Sequence, residues 1–84
     1  MKRSDICKAF SNEERLKLIV CLSHPQNVTE LLGHCTLAQS ALSQHLKVLR
    51  DAKIVVSKKI GKQIIYKVSS KKATKVASLL LNYK

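Results

Sequence analysis

The sequence predicts one small, mainly α-helical domain with a single β-hairpin before its last helix. Apolar side chains recur at helical spacing through the first 51 residues, and the same spacing returns after residue 69. Between these segments lie two β-branched runs on either side of Gly61, the pattern of a hairpin. A chain of 84 residues is enough for one domain with a thin core. We therefore expect a second subunit to complete that core.

The first two helices are marked by the residues that flank them. Residues 4–10 are predicted to form the first helix. Ser11, followed by Glu14 three residues later, predicts a capping box at the start of the second. Pro25 predicts its end, because proline disfavours helix in the residue before it. The apolar residues of these two helices are Ile6, Ala9, Phe10, Leu16, Ile19, Val20 and Leu22.

The next two helices are predicted to lie close together along the chain. Asn27 with Glu30 predicts an N-cap for a short third helix that ends near Gly33. A fourth helix is predicted over residues 38–51, where Thr36 with Gln39 can cap its start. Its apolar residues form one narrow stripe: Leu42, Leu46 and Leu49.

The remaining residues predict the hairpin and the last helix. The strands are expected around Ile54–Val56 and Ile64–Val68, within a hairpin over residues 54–68, and the last helix over residues 70–82. Two short helices joined by a tight turn and followed by a basic hairpin make a winged helix-turn-helix. The sequence therefore predicts residues 1–84 as a single winged helix-turn-helix domain, with the hairpin as its wing.

Charge points to a polyanionic partner. Sixteen Lys and Arg against five Asp and Glu give +11. Residues 51–84 hold nine lysines and one acid, net +8, whereas residues 1–50 hold seven basic and four acidic residues, net +3. This balance favours nucleic acid. A membrane surface is disfavoured as a partner, because no helix combines a basic face with a Trp or Phe face.

The fourth helix is predicted to read DNA with the face opposite its leucine stripe. Glutamine and serine suit hydrogen bonds to base edges, while lysine and arginine suit guanine or phosphate. An ordinary surface helix is the alternative, but such helices carry acids, and this one has none before Asp51. The predicted DNA-binding residues of the helix are Gln39, Ser40, Ser43, Gln44, His45, Lys47 and Arg50. Those of the wing are Lys58, Lys59, Lys62 and Gln63.

Three stretches give the sequence a specific resemblance. Residues 7–16, 39–52 and 57–66 resemble the first two helices, the recognition helix and the wing of the ArsR/SmtB family of repressors. The resemblance implies a homodimer that binds an imperfect palindrome in double-stranded DNA as a transcriptional repressor. It also implies an interface between the first and last helices. The expected interface residues are Ile6, Phe10, Val76, Leu80 and Tyr83.

The sequence departs from that family at its metal sites. Many members bind metal through third-helix cysteines, where this chain has Asn27 and Thr29. Others bind zinc through carboxylates and histidines of the last helix, where residues 71–76 offer neither. We therefore expect no metal and no cofactor.

Three cysteines with wide gaps predict neither a zinc knuckle nor a C-x-x-C redox site, and they fit a reducing, cytoplasmic setting. Cys35 is expected to be a buried small hydrophobe. A thiol-based redox response through Cys21 or Cys7 remains an alternative.

Two other function classes compete with a sequence-specific repressor. A non-specific nucleic-acid binder remains open, although an RNA binder would more typically stack bases on aromatic residues, and this chain has only three. An enzyme is not expected, because the sequence has no Gly-rich phosphate loop and no Ser-His-acid spacing.

Overall fold

The fold consists of five helices and a two-stranded antiparallel hairpin, in the predicted order. The computed structural model describes residues 3–83. The elements are α1 (Arg3–Ala9), α2 (Glu13–Cys21), α3 (Val28–His34), α4 (Gln39–Asp51), β1 (Val55–Ile60), β2 (Gln63–Val68) and α5 (Lys71–Leu81). The predicted ends of the helices shift by a residue or two, and β1 extends four residues beyond the predicted Val56. The winged helix-turn-helix prediction is confirmed.

The core forms where α2, α3 and α4 meet the base of the hairpin. The leucine stripe of α4 is buried as predicted. It packs with apolar side chains from the other elements, and α5 covers the far side of α2. The largest fully buried side chains are Ile19, Leu22, Leu31, Leu42, Leu49 and Val55. No polar or charged residue among those described is buried.

The start of α2 follows local hydrogen bonding, and the cap predicted for it is wrong. The N-cap of α2 is Asn12, whose side chain accepts a hydrogen bond from the Arg15 backbone N–H at 3.1 Å. The predicted cap, Ser11, donates its hydroxyl to the Lys8 carbonyl at 2.7 Å, closing the end of α1. The capping box predicted at the start of α3 is confirmed.

The hairpin turns tightly and is attached to the loop after α2. Ile60 pairs with Gln63, so the turn has two central residues, and Gly61 takes φ of 62° in the left-handed region. Glycine at the first central position fits a type II′ turn, which matches the strand twist. Gln26 and Tyr66 exchange backbone N–H···O bonds of 2.9 and 2.8 Å, which adds a short bridge to the second strand.

The link from α4 to the wing is a tight helix end. The Ile54 N–H donates to the Leu49 carbonyl and the Lys53 N–H donates to the Arg50 carbonyl, the two bonds of a Schellman motif. This motif requires a left-handed residue, and Lys53 has φ of 63°. A lysine therefore occupies a position that glycine usually fills.

Candidate nucleic-acid interface

The polar face of α4 is open to solvent. It comprises Gln39, Ser40, Ser43, Gln44, Lys47 and Arg50, all of which are exposed. Across the described part of the chain, none of these six side chains makes a hydrogen bond or an ion pair within the protein. Their donors and acceptors are therefore free for a ligand, while the leucine stripe behind them fixes the helix.

The start of α4 is held less firmly than predicted. Its N-cap is Ala38, and no side chain caps the first turn. The expectation that Thr36 caps this helix is therefore wrong, because the extended backbone of Ala38 already begins the helix. Leu37 packs partly against the core and anchors the turn instead.

Arg15 joins three helices and was not identified from the sequence. Its Nε donates to the Ala9 carbonyl at 3.1 Å, and one terminal nitrogen donates to the Lys8 carbonyl at 2.8 Å. Its other terminal nitrogen lies 3.3 Å from His45 Nδ1. Arginine can only donate, so His45 must accept through Nδ1 and carry its proton on Nε2.

His45 is thus held as a neutral ring at the edge of the polar face. The imidazole is half-buried. Burial, followed by the neighbouring Arg15 guanidinium, lowers the pKa of His45, and Glu14 opposes the shift. The remaining Nε2 hydrogen is a donor suited to a phosphate oxygen.

The wing presents a basic tip beside α3. All four residues predicted for the wing, Lys58, Lys59, Lys62 and Gln63, are exposed. The Asn27 side-chain amide donates to Gln63 Oε1 at 3.3 Å, so the cap of α3 also contacts the wing. The wing and the helix-turn-helix are therefore connected by side-chain and backbone bonds.

A second exposed surface, apolar in character, lies on α5. The helical spacing of Ala73, Val76, Ala77, Leu80 and Tyr83 predicts one apolar side for this helix, but in the structure only part of that side is buried. Ala77 is fully buried against the domain's own core, whereas Val76 and Leu80 are 42% and 45% exposed. Tyr83 is 84% exposed, and Leu79, which is not among the predicted interface residues, is 72% exposed. The predicted first-helix residues Ile6 and Phe10 are half-buried and pack against the domain's own core.

Comparison with known proteins agrees with this geometry. A family model described as "Bacterial regulatory protein, arsR family" matches residues 12–57. The chain belongs to the ArsR family. The matched residues run from the cap of α2 through the helix-turn-helix into the first strand of the wing.

The ArsR-type relatives include an activator and repressors of transcription. The transcriptional activator HlyU of Vibrio cholerae is 37% identical over 76 residues, which is 89% of this chain and 70% of HlyU. The biofilm growth-associated repressor of Agrobacterium fabrum is 34% identical over 76 residues, covering 89% of this chain and 65% of that repressor.

Solved structures share the fold closely. HlyU from Vibrio vulnificus superposes with a TM-score of 0.78 at 35% identity, covering 92% of this chain and 81% of that one. The transcriptional repressor PagR of Bacillus anthracis gives a TM-score of 0.80 at 29% identity, covering 92% and 90%. This protein is thus a transcriptional regulator with a DNA-binding winged helix, and its homologues are regulators rather than enzymes.

The positions where other ArsR proteins bind metal serve other roles here. Asn27 caps α3 with Glu30, and Thr29 is exposed on that helix. Within residues 3–83, no three or more His, Cys, Asp or Glu side chains gather into a metal-binding group. None of the described helices has the length and apolar character needed to cross a membrane.

The cysteines of this ArsR protein differ in exposure. Cys7 is exposed on α1, whereas Cys21 is half-buried. Cys35 is also half-buried, so the expectation of a buried small hydrophobe is wrong. It caps the end of α3, where its side chain borders a surface cavity.

Proposed function

We propose that this ArsR protein is a homodimeric repressor that binds an imperfect palindrome, with α4 in the major groove and the wing along the DNA backbone. The observation that carries this proposal is the polar face of α4. Its glutamines and serines are exposed, unpaired within the described protein and free of neighbouring acids on the helix before Asp51. Such side chains match base edges in a groove wide enough for a helix.

The charge distribution supports a division of labour between helix and wing. The wing lysines stand on the edge of a hairpin that has little of its own core, so their surroundings suit phosphate contacts. Phosphate contacts position a protein on DNA but carry no sequence information. We assign discrimination between sequences to the polar face of α4 and general affinity to the wing.

The apolar surface of α5 supports dimerisation. Three apolar side chains of α5 (Val76, Leu79 and Leu80) and that of Tyr83, just beyond its end, are exposed to water in a single chain. An open cavity of about 380 Å³ lies next to them, between α5 and the start of α2, and is lined by Phe10, Leu16, Leu80 and Tyr83 among others. A second copy offers the same self-complementary patch, as a twofold interface requires.

The choice of repressor over activator follows from this binding mode. A dimer that occupies two successive major grooves covers the DNA that a polymerase would need. The relatives named as repressors support repression, and the activator HlyU shows that the same fold also occurs in an activator.

The DNA proposal is tested by comparing two sets of variants. Gln39→Ala and Gln44→Ala should each lower operator affinity by about 1–3 kcal/mol and relax preference at one base position. Lys58→Ala and Lys59→Ala should weaken operator and random DNA equally, and each should reduce the salt slope by about one unit. The measurement is the ratio of operator to random affinity for each variant at fixed salt.

A non-specific nucleic-acid binder predicts a different outcome. In that case both sets of variants weaken both DNAs alike, and selection from random sequence yields no operator. An unchanged ratio in the glutamine variants would overturn the proposed reading helix.

The dimer is tested by a charge placed on α5. Leu79→Glu should convert the dimer to monomers, measured by analytical ultracentrifugation, because the dimer would bury two unpaired carboxylates, one from each subunit. The matched control is Ile60→Glu, which changes an equally bulky apolar residue that is 56% exposed on the wing. A wild-type chain that sediments as a folded monomer at micromolar concentration refutes the dimer.

A further inference from the structure

An open cavity of about 700 Å³ lies between α5, the end of β2 and the loop that follows α2. One wall is a single side of α5, where Lys71, Lys75 and Leu79 stand four residues apart. Residues 23–24 and Val68 form the facing wall. The volume is within the range of about 300–1,000 Å³ that small-molecule sites occupy.

The walls of this cavity are held in place by the fold itself. The Val68 N–H donates to the Leu22 carbonyl at 2.9 Å, which joins the end of β2 to the loop after α2. The Ser70 side chain caps α5 by accepting from the Lys72 N–H at 3.0 Å, and the fully buried Ala77 packs the same helix onto the core. The cavity is therefore formed before any ligand enters it, as most small-molecule sites are.

The lining combines apolar surface with cations that have no partner. Leu79 and the half-buried Val68 supply the apolar surface. Lys71 and Lys75 are exposed, and across residues 3–83 neither side chain forms an ion pair or a hydrogen bond. The sequence has no acid after Asp51, and the positive end of the α5 dipole adds to the charge of the lysines. The site therefore attracts an anion that also has apolar surface to bury.

We propose that this cavity binds a small organic carboxylate that has an apolar chain or ring. The carboxylate lies between Lys71 and Lys75, where the imidazole of His24 on the facing wall supplies a further hydrogen-bond donor. The apolar body lies against Leu79 and Val68. A second copy of the chain is a poorer occupant, because a twofold contact here would bring the same lysines against one another.

Leu79 connects this site to the proposed dimer, and the regulatory part of the inference rests on that proposal. At 100° per residue, Leu79 lies between Lys75 and Val76 around α5. It borders the cavity on one side and the exposed apolar surface on the other. A ligand that covers Leu79 competes with the partner subunit for the same side chain. Ligand binding should therefore weaken the dimer, and dimerisation should weaken ligand binding by the same factor.

Octanoate is the probe, and the ¹⁵N-labelled wild-type chain reports where it binds. Titration should shift the amide signals of residues 23–24, 68 and 71–79 and leave those of the wing at residues 58–62 unchanged. Acetate keeps the charge without the chain, and 1-octanol keeps the chain without the charge, so both should bind more weakly. Removing two carbons from octanoate should weaken binding by about 3–15-fold. If no signal shifts, or if the wing signals shift equally, the proposal is overturned.

Lysine variants test the charge. Lys71→Gln and Lys75→Gln should each weaken octanoate binding by about 2–5-fold, the range for one exposed ion pair. Lys72→Gln is the matched control, since it removes the same charge from the same helix but Lys72 does not line the cavity. Its affinity for octanoate should equal that of the wild-type chain. An equal loss in all three variants would mean that net charge alone attracts octanoate, and no loss in any of them would mean that the lysines do not hold it. Either result overturns the site.

Analytical ultracentrifugation tests the link to the dimer. Saturating octanoate should raise the dimer dissociation constant at least about 5-fold, the lower end of typical coupling between two sites, whereas acetate should not. An unchanged constant overturns the coupling through Leu79. A wild-type chain that is monomeric without octanoate refutes the proposed dimer instead, while the amide shifts still decide whether the cavity binds a carboxylate.

Discussion

Replacing Arg15 with alanine tests whether one guanidinium holds the N-terminal helix to the rest of the domain. Its bond to the carbonyl of the fully buried Ala9 lies in partly buried surroundings. A hydrogen bond to a charged group contributes about 1.5–3 kcal/mol, and this bond should be within that range. The bond to Lys8 is exposed and shares its acceptor with Ser11, and the contact with His45 is long, so each should contribute about 0.5 kcal/mol.

Together these bonds predict that Arg15→Ala lowers the free energy of unfolding by about 2.5–4 kcal/mol. Urea denaturation followed by circular dichroism at 222 nm measures that change. Arg15→Lys should recover little of it, because one ammonium cannot reach the two acceptors on α1 and the third on α4 together.

Lys17 is the matched control on the same helix. Its ammonium lies 3.8 Å from both Glu13 and Glu14, and its side chain is 55% exposed. Exposed pairs of this kind contribute below about 1 kcal/mol, so Lys17→Ala should change stability little. If Arg15→Ala costs no more than Lys17→Ala, the guanidinium does not hold the helices together and this reasoning is wrong.

Three further predictions concern stability, pH and metal. Lys53→Gly should raise the free energy of unfolding, measured by urea denaturation, by about 0.5–1 kcal/mol. The substitution removes left-handed backbone strain of about 1–2 kcal/mol, which outweighs the added conformational freedom of the unfolded chain. Lys53→Ala should show no such gain, because alanine keeps the strain. Because the folded-state pKa of His45 lies below the unfolded value of 6.5, stability is complete above that pH and falls as the pH drops through it. His45→Gln should flatten this fall, measured by thermal unfolding across that pH range, and an unchanged fall in the variant would contradict the prediction. Zinc added at micromolar concentration should leave operator affinity unchanged, since Asn27 and Thr29 supply no thiolate; release of the operator by zinc would contradict this.

The order of elements could be predicted because each signal is local. The leucine stripe of α4 is a spacing along one helix, and the Asn27 capping box involves residues three apart. Gly61 marks a turn that needs a left-handed residue. None of these signals depends on which distant segment packs nearby, so they hold in the folded chain.

The features that were missed depend on distant partners. Arg15 looks like an ordinary charged residue on α2, and its role follows from carbonyls of α1 and a ring of α4 thirty residues away. Ser11 and Asn12 are both good caps, and the choice between them depends on where α1 ends.

The candidate site divides in the same way. The exposed face of α4 could be predicted from its angular relation to the buried leucines. The division of the α5 apolar side could not, because the burial of Ala77 and the exposure of Leu79 depend on how α5 packs against the rest of the domain. The cavity beside α5 was also hidden, since its walls come from residues 23–24, Val68 and α5, which lie far apart along the chain.

The bridge between Gln26 and Tyr66 has a mechanical consequence. Together with the contact between Asn27 and Gln63, it removes any hinge between the wing and the helix-turn-helix. A winged helix built in this way binds DNA as a rigid body, with a fixed distance between the contacts made by the wing and those made by α4. Extra base pairs within one half-site cannot be absorbed by bending the protein, so tolerance to altered spacing has to come from the DNA or from the joint between two copies of the chain.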